Sequence, residues 1–237
     1  MTAPSPALPH AAVPEPVLVA IDGPAGSGKS SVSKEAARRL GYGILDTGAA
    51  YRALAATGLR RGVDLDDAEA VASILDDWRY AITLTGTPRV TVDDLDVTEE
   101  IREPRVSAEV SRVARIPAVR ETLNVMFRRA VAESGLPGVI IEGRDITTVV
   151  APNAPVRILL TADPAVRAQR RAGELTGSDA AEVLASLTER DAKDAQVVDF
   201  LEAAPGVTLV DSTALNFDET VDAVLDVIRA KTTGEQR

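Results

Sequence analysis

Short apolar runs alternate with amphipathic segments along most of the chain. Runs at 17–21, 43–45, 139–142, 156–161 and 207–210 have the length and composition of buried strands. Segments with apolar residues three or four apart, such as Val32, Ala36 and Leu40, lie between them. This alternation predicts an α/β fold with three layers, in which helices cover both faces of a five-stranded parallel sheet.

Helix boundaries are marked by residues that favour particular backbone conformations. Gly41 is placed to end the helix that follows the first strand. Asp163 and Pro164 form a cap and first-turn pair for a helix after the fourth strand. Asn216 with Glu219 three residues later predicts a capping box at the start of the C-terminal helix.

Two stretches interrupt the alternation and predict smaller units. Residues 62–100 contain short strand-like pieces separated by glycine, proline and acidic residues, which indicates a small antiparallel lobe. Residues 173–186 begin with a polar, glycine-containing stretch and continue as a helix, which is typical of a lid. The core domain is then expected at 17–61, 101–172 and 187–237, after a proline-rich, disordered tail at 1–16.

Composition narrows the classes of function. The 237 residues are 45% hydrophobic, as in ordinary globular proteins. There is no cysteine, which excludes disulfides, thiolate metal sites and thiol nucleophiles and fits a cytoplasmic location. No apolar run is long enough to span a membrane, and no long apolar stripe demands a partner, so a monomer is expected. A net charge of −10 disfavours binding to nucleic acid polymers or anionic membranes, and any phosphate ligand needs a locally basic pocket.

The stretch GPAGSGKS at 23–30 is a P-loop, and it lies between a predicted strand and a predicted helix. Such a loop directs backbone N–H groups at phosphate oxygens, with Lys29 between the β- and γ-phosphates and Ser30 on Mg²⁺. The sequence therefore predicts a site for a nucleoside triphosphate and Mg²⁺. The expected contacts are Gly23, Pro24, Ala25, Gly26, Ser27, Gly28, Lys29, Ser30 and Ser31, with the N–H groups of 25–31 cradling the phosphates.

The rest of the chain favours a kinase over other P-loop proteins. The sequence has neither an Asn-Lys-x-Asp nor an Asp-x-x-Gly element, which argues against a GTPase. A kinase with a phosphorylated acceptor needs arginines at a second anion site. Arg52 and Arg144 follow the ends of predicted strands, where open α/β sheets bind ligands. Further candidates are Arg120, Arg167, Arg170, Arg171 and Arg190.

Glu142 ends a buried strand that is expected next to the P-loop strand. Its carboxylate is placed either to hold Mg²⁺ through water or to pair with Lys29 or Arg144. The residues alone leave these roles open.

Several motifs in this order resemble those of bacterial cytidylate kinases. They are IDGPAGSGKSSVSK, LDTGAAYRA, VSRVARIPAVRE, IIEGRDITTVVAPNAPVRILLTAD, RAQRRAGEL and ERDAKD, and the resemblance runs from about residue 17 to 230. It implies a P-loop kinase fold whose inserted lobe binds the nucleoside monophosphate and whose helical lid closes. It also implies transfer of the γ-phosphoryl group of MgATP to CMP or dCMP.

The resemblance assigns roles to individual residues. Ser111, Arg120 and Asp145 match residues that read the cytosine, Thr47 and Tyr51 those that shape the acceptor pocket, Arg52 and Arg144 those that hold the CMP phosphate, and Arg190 and Asp194 those on the sugar side. Arg167 and Arg171 are expected at ATP, and Arg170 and Arg171 join Lys29 and Arg144 in spreading the charge of the transferred group.

Some of these assignments have simpler alternatives. Asp145 could pair with its neighbour Arg144, and Arg190 with Asp194, four residues apart on one helical face, could form a surface ion pair. Val197 stands where the resembled proteins commonly have an arginine for the acceptor phosphate. A kinase for UMP or another small acceptor, an NTPase that drives a partner, and a nucleotide-binding module without turnover are the competing functions.

Overall fold

The computed structural model describes residues 15–174, 180–195 and 201–234. In chain order its strands are β1 (Val17–Asp22), β2 (Gly43–Asp46), β3 (Tyr80–Ile82), β4 (Val90–Val92), β5 (Leu95–Asp96), β6 (Gly138–Gly143), β7 (Val156–Thr161) and β8 (Thr208–Asp211). The main sheet has the order β2-β6-β1-β7-β8, and all its pairs are parallel. The five strands predicted from the apolar runs are confirmed, with ends that differ by at most one residue.

Helices connect these strands. They are α1 (Lys29–Leu40), α2 (Thr47–Arg61), α3 (Ala68–Ser73), α4 (Pro104–Ser107), α5 (Val110–Ala114), α6 (Pro117–Ala132), α7 (Pro164–Glu174), α8 (Ala180–Ala195) and α9 (Phe217–Gly234). Single turns of 3₁₀ helix lie at Ile74–Asp76 and Glu100–Arg102, and a π-helical turn at Ile146–Val150 follows β6. The short helices between 68 and 114 were not predicted from the sequence.

The three layers form because alternate residues of the buried strands face opposite sides of the sheet. Val19 and Ile21 of β1 face one side, where they pack with apolar residues of α1 and α9. Ala20 faces the other side and belongs to a larger cluster with α2 and α6. These strand residues are fully buried, so the core fixes the positions of the strand ends that carry the site.

The predicted lobe contains a second, antiparallel sheet of order β3-β4-β5. A two-residue turn joins β4 to β5, and both turn residues, Asp93 and Asp94, have positive φ. Two such residues are typical of a type I′ turn, in which aspartate is tolerated. Val90 and Val92 are buried in the same apolar cluster as α2, so the small sheet shares the core of the main domain.

Predicted helix boundaries are confirmed by hydrogen bonds. Gly41 ends α1 with φ +68°. Asn216 accepts from the Glu219 N–H at 3.0 Å, and the Glu219 carboxylate accepts from the Asn216 N–H at 2.8 Å, which is a capping box. Asp163 accepts from the Ala165 N–H at 2.8 Å in the first turn of α7. Within the described ranges no helix has both the length and the apolar character that crossing a bilayer requires.

Candidate active site

A cavity of about 530 Å³ opens at the C-terminal ends of β1, β2 and β6. Ligands of open parallel sheets bind at this edge. The P-loop forms one wall, and every P-loop residue from Pro24 to Ser31 lines the cavity. No described side chain caps α1, and its first turn has no acidic residue, so the N-terminal amides are available to an anion.

Gly23 shapes the loop without lining the cavity. A Cβ at this position would lie 2.2 Å from the backbone carbonyl oxygen of Leu160 in β7, a contact that no side chain can make. The Gly23 carbonyl also accepts a hydrogen bond of 2.8 Å from Arg144. The first glycine of the motif is therefore required by the packing of the loop against β7.

Glu142 is held by the two chemically important residues of the P-loop. Its carboxylate lies 3.0 Å from the Lys29 ammonium and accepts from the Ser30 hydroxyl at 2.6 Å. Burial lowers the pKa of Lys29, and the Glu142 charge opposes that effect. Of the roles considered for Glu142, the ion pair with Lys29 is present in this structure. The hydrogen bond from Ser30 also places a hydroxyl oxygen beside the Glu142 carboxylate, and both are possible metal ligands.

Three arginines predicted at the acceptor side each form an ion pair with a carboxylate in the cavity wall. Arg52 donates to Asp46 at 2.7 Å, Arg144 donates to Asp194 at 3.0 Å, and Arg120 donates to Asp145. All six residues line the same cavity as the P-loop. The structure therefore brings the predicted phosphate-binding and base-reading residues together, with the guanidinium groups already neutralised.

Asp145 does not pair with the adjacent Arg144, since its partner is Arg120. Asp145 is 6% exposed, and burial raises its pKa, while the guanidinium of Arg120 acts in the opposite direction. Tyr51 and Ser111 line the cavity with this pair. Burial raises the pKa of the Tyr51 hydroxyl to about 12, so that group remains a neutral hydrogen-bond donor near neutral pH.

Asp22, at the end of β1, fixes the segment that carries Arg144 and Asp145. Its carboxylate accepts from the N–H groups of Ile146 and Thr147, both at 2.8 Å, and from the Thr147 hydroxyl at 2.7 Å. Burial raises the pKa of Asp22, and these donors oppose the shift. These hydrogen bonds link the P-loop strand directly to the turn that carries Asp145, the carboxylate predicted to read the base.

The remaining acceptor-side residues have distinct positions. Thr47 lines the cavity and donates from its hydroxyl to the Glu142 carbonyl at 2.9 Å, which joins the start of α2 to β6. Asp194 lines the cavity on α8. The side chain of Arg190 and all of Val197 lie outside the described residues, so the predictions for both lie there as well.

Two arginines expected in the active site are held elsewhere. Arg170 donates to the Ser212 hydroxyl and carbonyl and to the Leu215 carbonyl, at 2.7–3.0 Å. Arg167 is 8% exposed and donates to backbone carbonyls and to Asp191. Neither is among the described residues that line the cavity, whereas Arg171 of the same helix is.

The first of the P-loop amides predicted to bind phosphate is occupied by a side chain of the protein. The N–H of Ala25, expected to cradle phosphate, donates to the Asp191 carboxylate at 2.9 Å. The N–H of Ser27 donates to the Pro24 carbonyl at 3.3 Å, so both of these amides already have acceptors in this structure.

Sequence reasoning missed several residues of the site. Lys34, Arg102 and Ser107 line the cavity. Of these three, only Lys34 could have been found from the sequence, because it lies one helical turn after Ser30 of the P-loop. Asp22 and Asp46 each follow a predicted strand directly, which is a usable signal for a site residue. Arg102 and Ser107 lie in short elements whose position depends on tertiary packing.

Comparison with known proteins decides the family. The model of the family described as cytidylate kinase matches residues 19–230 of this chain. This chain belongs to the cytidylate kinase family. A cytidylate kinase from Cutibacterium acnes is 47% identical over 216 residues, which cover 90% of this chain and 96% of that protein. Another from Rhodococcus opacus is 44% identical over 218 residues, with 90% and 94% covered.

Structural comparison supports the fold. The crystal structure of an uncharacterized protein from Eubacterium ventriosum superimposes with a TM-score of 0.51 at 13% identity, covering 90% of this chain and 99% of that one. At this identity the likeness concerns the fold alone. As a member of the cytidylate kinase family, this protein is a nucleoside monophosphate kinase. The resemblance seen in its motifs is confirmed.

Proposed function

We propose that the protein transfers the γ-phosphoryl group of ATP to CMP or dCMP by direct in-line displacement, giving ADP and CDP or dCDP. The observation that carries this proposal is the single cavity that joins a P-loop with open amides to a wall bearing Arg52, Arg144 and the Arg120–Asp145 pair. Two nucleotides bound at these ends would present their phosphates to each other. Positioning and charge neutralisation are the main requirements of phosphoryl transfer.

The base is read by hydrogen bonds that only cytosine can complete. The Asp145 carboxylate is placed to accept from the exocyclic amino group, while Arg120 and Ser111 donate to the ring acceptors. Uracil presents a carbonyl oxygen where the amino group would be, and it would face a buried carboxylate. Discrimination against UMP then follows from the cost of placing a carbonyl oxygen against the buried Asp145 carboxylate, which can only accept hydrogen bonds when it is ionised.

Arg52 and Arg144 bind the acceptor phosphate. The Nε of Arg52 is buried and has no hydrogen-bond partner among the described residues, so this guanidinium still has an unused donor. The resembled proteins commonly have an arginine where this chain has Val197, and Arg102 lines the cavity as the candidate for a third cation. On the sugar side we assign Arg190 and Asp194.

Lys29, Arg144 and Arg171 are assigned to the charge of the transferred group. The acceptor phosphate is largely ionised near neutral pH, so it needs no strong general base. The chain has no cysteine, its single histidine is His10, outside the described residues, and the described lining of the cavity contains neither group for a phosphoenzyme. The inserted lobe at 62–100 and the lid at 173–186 are proposed to exclude water from ATP.

The residues present fit Mg²⁺. The described residues hold no cluster of three or more acidic or histidine ligands, and Mg²⁺ in kinases is held mainly by substrate phosphates and water with few protein ligands. The Ser30 hydroxyl and the Glu142 carboxylate, 2.6 Å apart, are the oxygen ligands that would hold it directly or through water. When bound, the ion would neutralise negative charge on the β- and γ-phosphates.

ADP release measured with each monophosphate tests the proposal. With ATP and Mg²⁺, we expect rapid ADP formation with CMP or dCMP and much slower formation with UMP or AMP. ATP turnover that is equal with and without CMP would indicate an NTPase instead. Binding of ATP without any turnover would indicate a module without catalytic function. The monomeric state and the cytoplasmic location remain predictions from composition.

A further inference from the structure

An ion pair between the helices that follow β7 holds the middle of the P-loop. Asp191 of α8 accepts from the Ala25 N–H at 2.9 Å and from Arg167 of α7 at 2.5 Å. The same Arg167 nitrogen donates to the Ala25 carbonyl at 2.7 Å. Both backbone groups of Ala25 are therefore bound by one pair of side chains, and both side chains are more than nine-tenths buried.

These bonds determine the direction of the next amide. In a trans peptide the carbonyl of one residue and the N–H of the following residue point in opposite directions. Arg167 draws the Ala25 carbonyl towards the buried side, where Arg167 lies outside the described lining of the cavity. The N–H of Gly26 consequently points to the other side, where Gly26 lines the cavity.

Packing around the ion pair leaves the loop little freedom. Ala25 belongs to a small apolar cluster with Ala168 of α7 and with Val183 and Leu187 of α8. A Cβ on Gly26 would meet the Arg167 carbonyl oxygen at 3.1 Å, so the loop lies directly against α7. The ion pair thus acts on a backbone that is already in close contact with both helices.

We propose that Asp191 is a positioning residue for the donor nucleotide, which orients the P-loop through Ala25 and Arg167 and touches no substrate. A buried ion pair is seldom a net source of stability, because desolvation offsets most of its attraction. Its effect here is to fix two peptide planes before ATP arrives, so ATP does not have to order them. This inference rests on the proposed role of the P-loop in binding ATP, and it does not depend on the identity of the acceptor.

The test compares donor and acceptor binding in Asp191→Asn. Asparagine keeps the shape and one acceptor oxygen but removes the charge that holds Arg167. We expect the dissociation constant for MgADP, measured by calorimetry without acceptor, to rise about tenfold or more, as loss of one charged hydrogen bond implies. The dissociation constant for CMP should change less than about twofold, and KM for ATP should rise more than kcat falls.

Val183→Ala is the matched control, because it removes packing from the same cluster and leaves the ion pair intact. For an equal or larger loss in melting temperature, this variant should change MgADP affinity much less than Asp191→Asn does. Unchanged MgADP affinity in Asp191→Asn, or an equal loss in Val183→Ala, would overturn the proposal. Failure of CMP to act as acceptor would refute the proposed function and leave the calorimetric result valid.

A measurement on the unmodified protein covers the case in which Asp191→Asn does not fold. The Ala25 amide should exchange its hydrogen slowly in the absence of nucleotide, because it is buried against Asp191. Exchange at the rate of an open loop would show that the bond is absent in solution and would overturn the inference.

Discussion

Replacing Asp145 by asparagine tests the base-reading assignment most directly. The substitution removes one negative charge and keeps the size of the side chain. In the structure this carboxylate is 6% exposed and receives a hydrogen bond from Arg120. The variant therefore loses a buried, charged acceptor that we assign to the amino group of cytosine.

The magnitude follows from the burial of this pair. A hydrogen bond to a charged group contributes about 1.5–3 kcal/mol, which corresponds to about 10- to 150-fold in kcat/KM. Asparagine can also turn its amide nitrogen towards a carbonyl oxygen, so UMP gains a donor that the carboxylate denied it. We expect the ratio of kcat/KM for CMP to that for UMP to fall about tenfold or more.

The assay is ADP release at saturating ATP, with kcat/KM measured for CMP and UMP in turn. Circular dichroism checks that the variant is folded. Asp194→Asn is the control, because Asp194 pairs with Arg144 and is assigned to the sugar side. It should change kcat/KM for both substrates by the same factor and leave their ratio unchanged. A normal CMP-to-UMP ratio in Asp145→Asn, or an equal shift in the control, would refute this account of base recognition.

Further outcomes follow from the same geometry. The raised pKa of Asp145 means that protonation begins at a higher pH than for an ordinary aspartate near 3.8, and protonation removes the acceptor. KM for CMP should therefore rise as the pH falls, and comparison with Asp145→Asn, which should lack this component, checks it. Lys29→Ala should remove most turnover while circular dichroism still shows a folded protein, and a near-normal kcat would contradict the P-loop assignment. Gly23→Ala should lower the melting temperature and weaken ATP binding, because the new Cβ would meet the Leu160 carbonyl.

Local patterns predicted the main architecture and the position of the P-loop between β1 and α1. Each buried strand is a short apolar run that can be recognised from its own residues, and the P-loop and the capping box at Asn216 depend on residues close in sequence. Long-range pairing could not be predicted in this way. Asp145 has a cation next to it in the sequence, yet it pairs with Arg120, 25 residues away. The bond from Ala25 to Asp191 spans 166 residues, and no periodicity indicates it.

Arginine positions show the same limit. Arg52 and Arg144 were correctly expected at the sheet edge, because strand ends define that edge. Arg167, Arg170 and Arg171 lie on one helix, and the direction of each side chain depends on how that helix rotates against the P-loop and β8. The sequence placed all three near ATP, whereas only Arg171 of the three is among the described residues lining the cavity.

The carboxylates paired with Arg52, Arg120 and Arg144 have opposite effects on the stability of the fold and on the affinity for the acceptor phosphate. They act as internal counterions, which reduces the repulsion between the three cations that line the cavity. An incoming monophosphate must then compete with Asp46 and Asp194 for the guanidinium groups of Arg52 and Arg144. Removing one of these acids to tighten acceptor binding would therefore lower the free energy of unfolding of the enzyme.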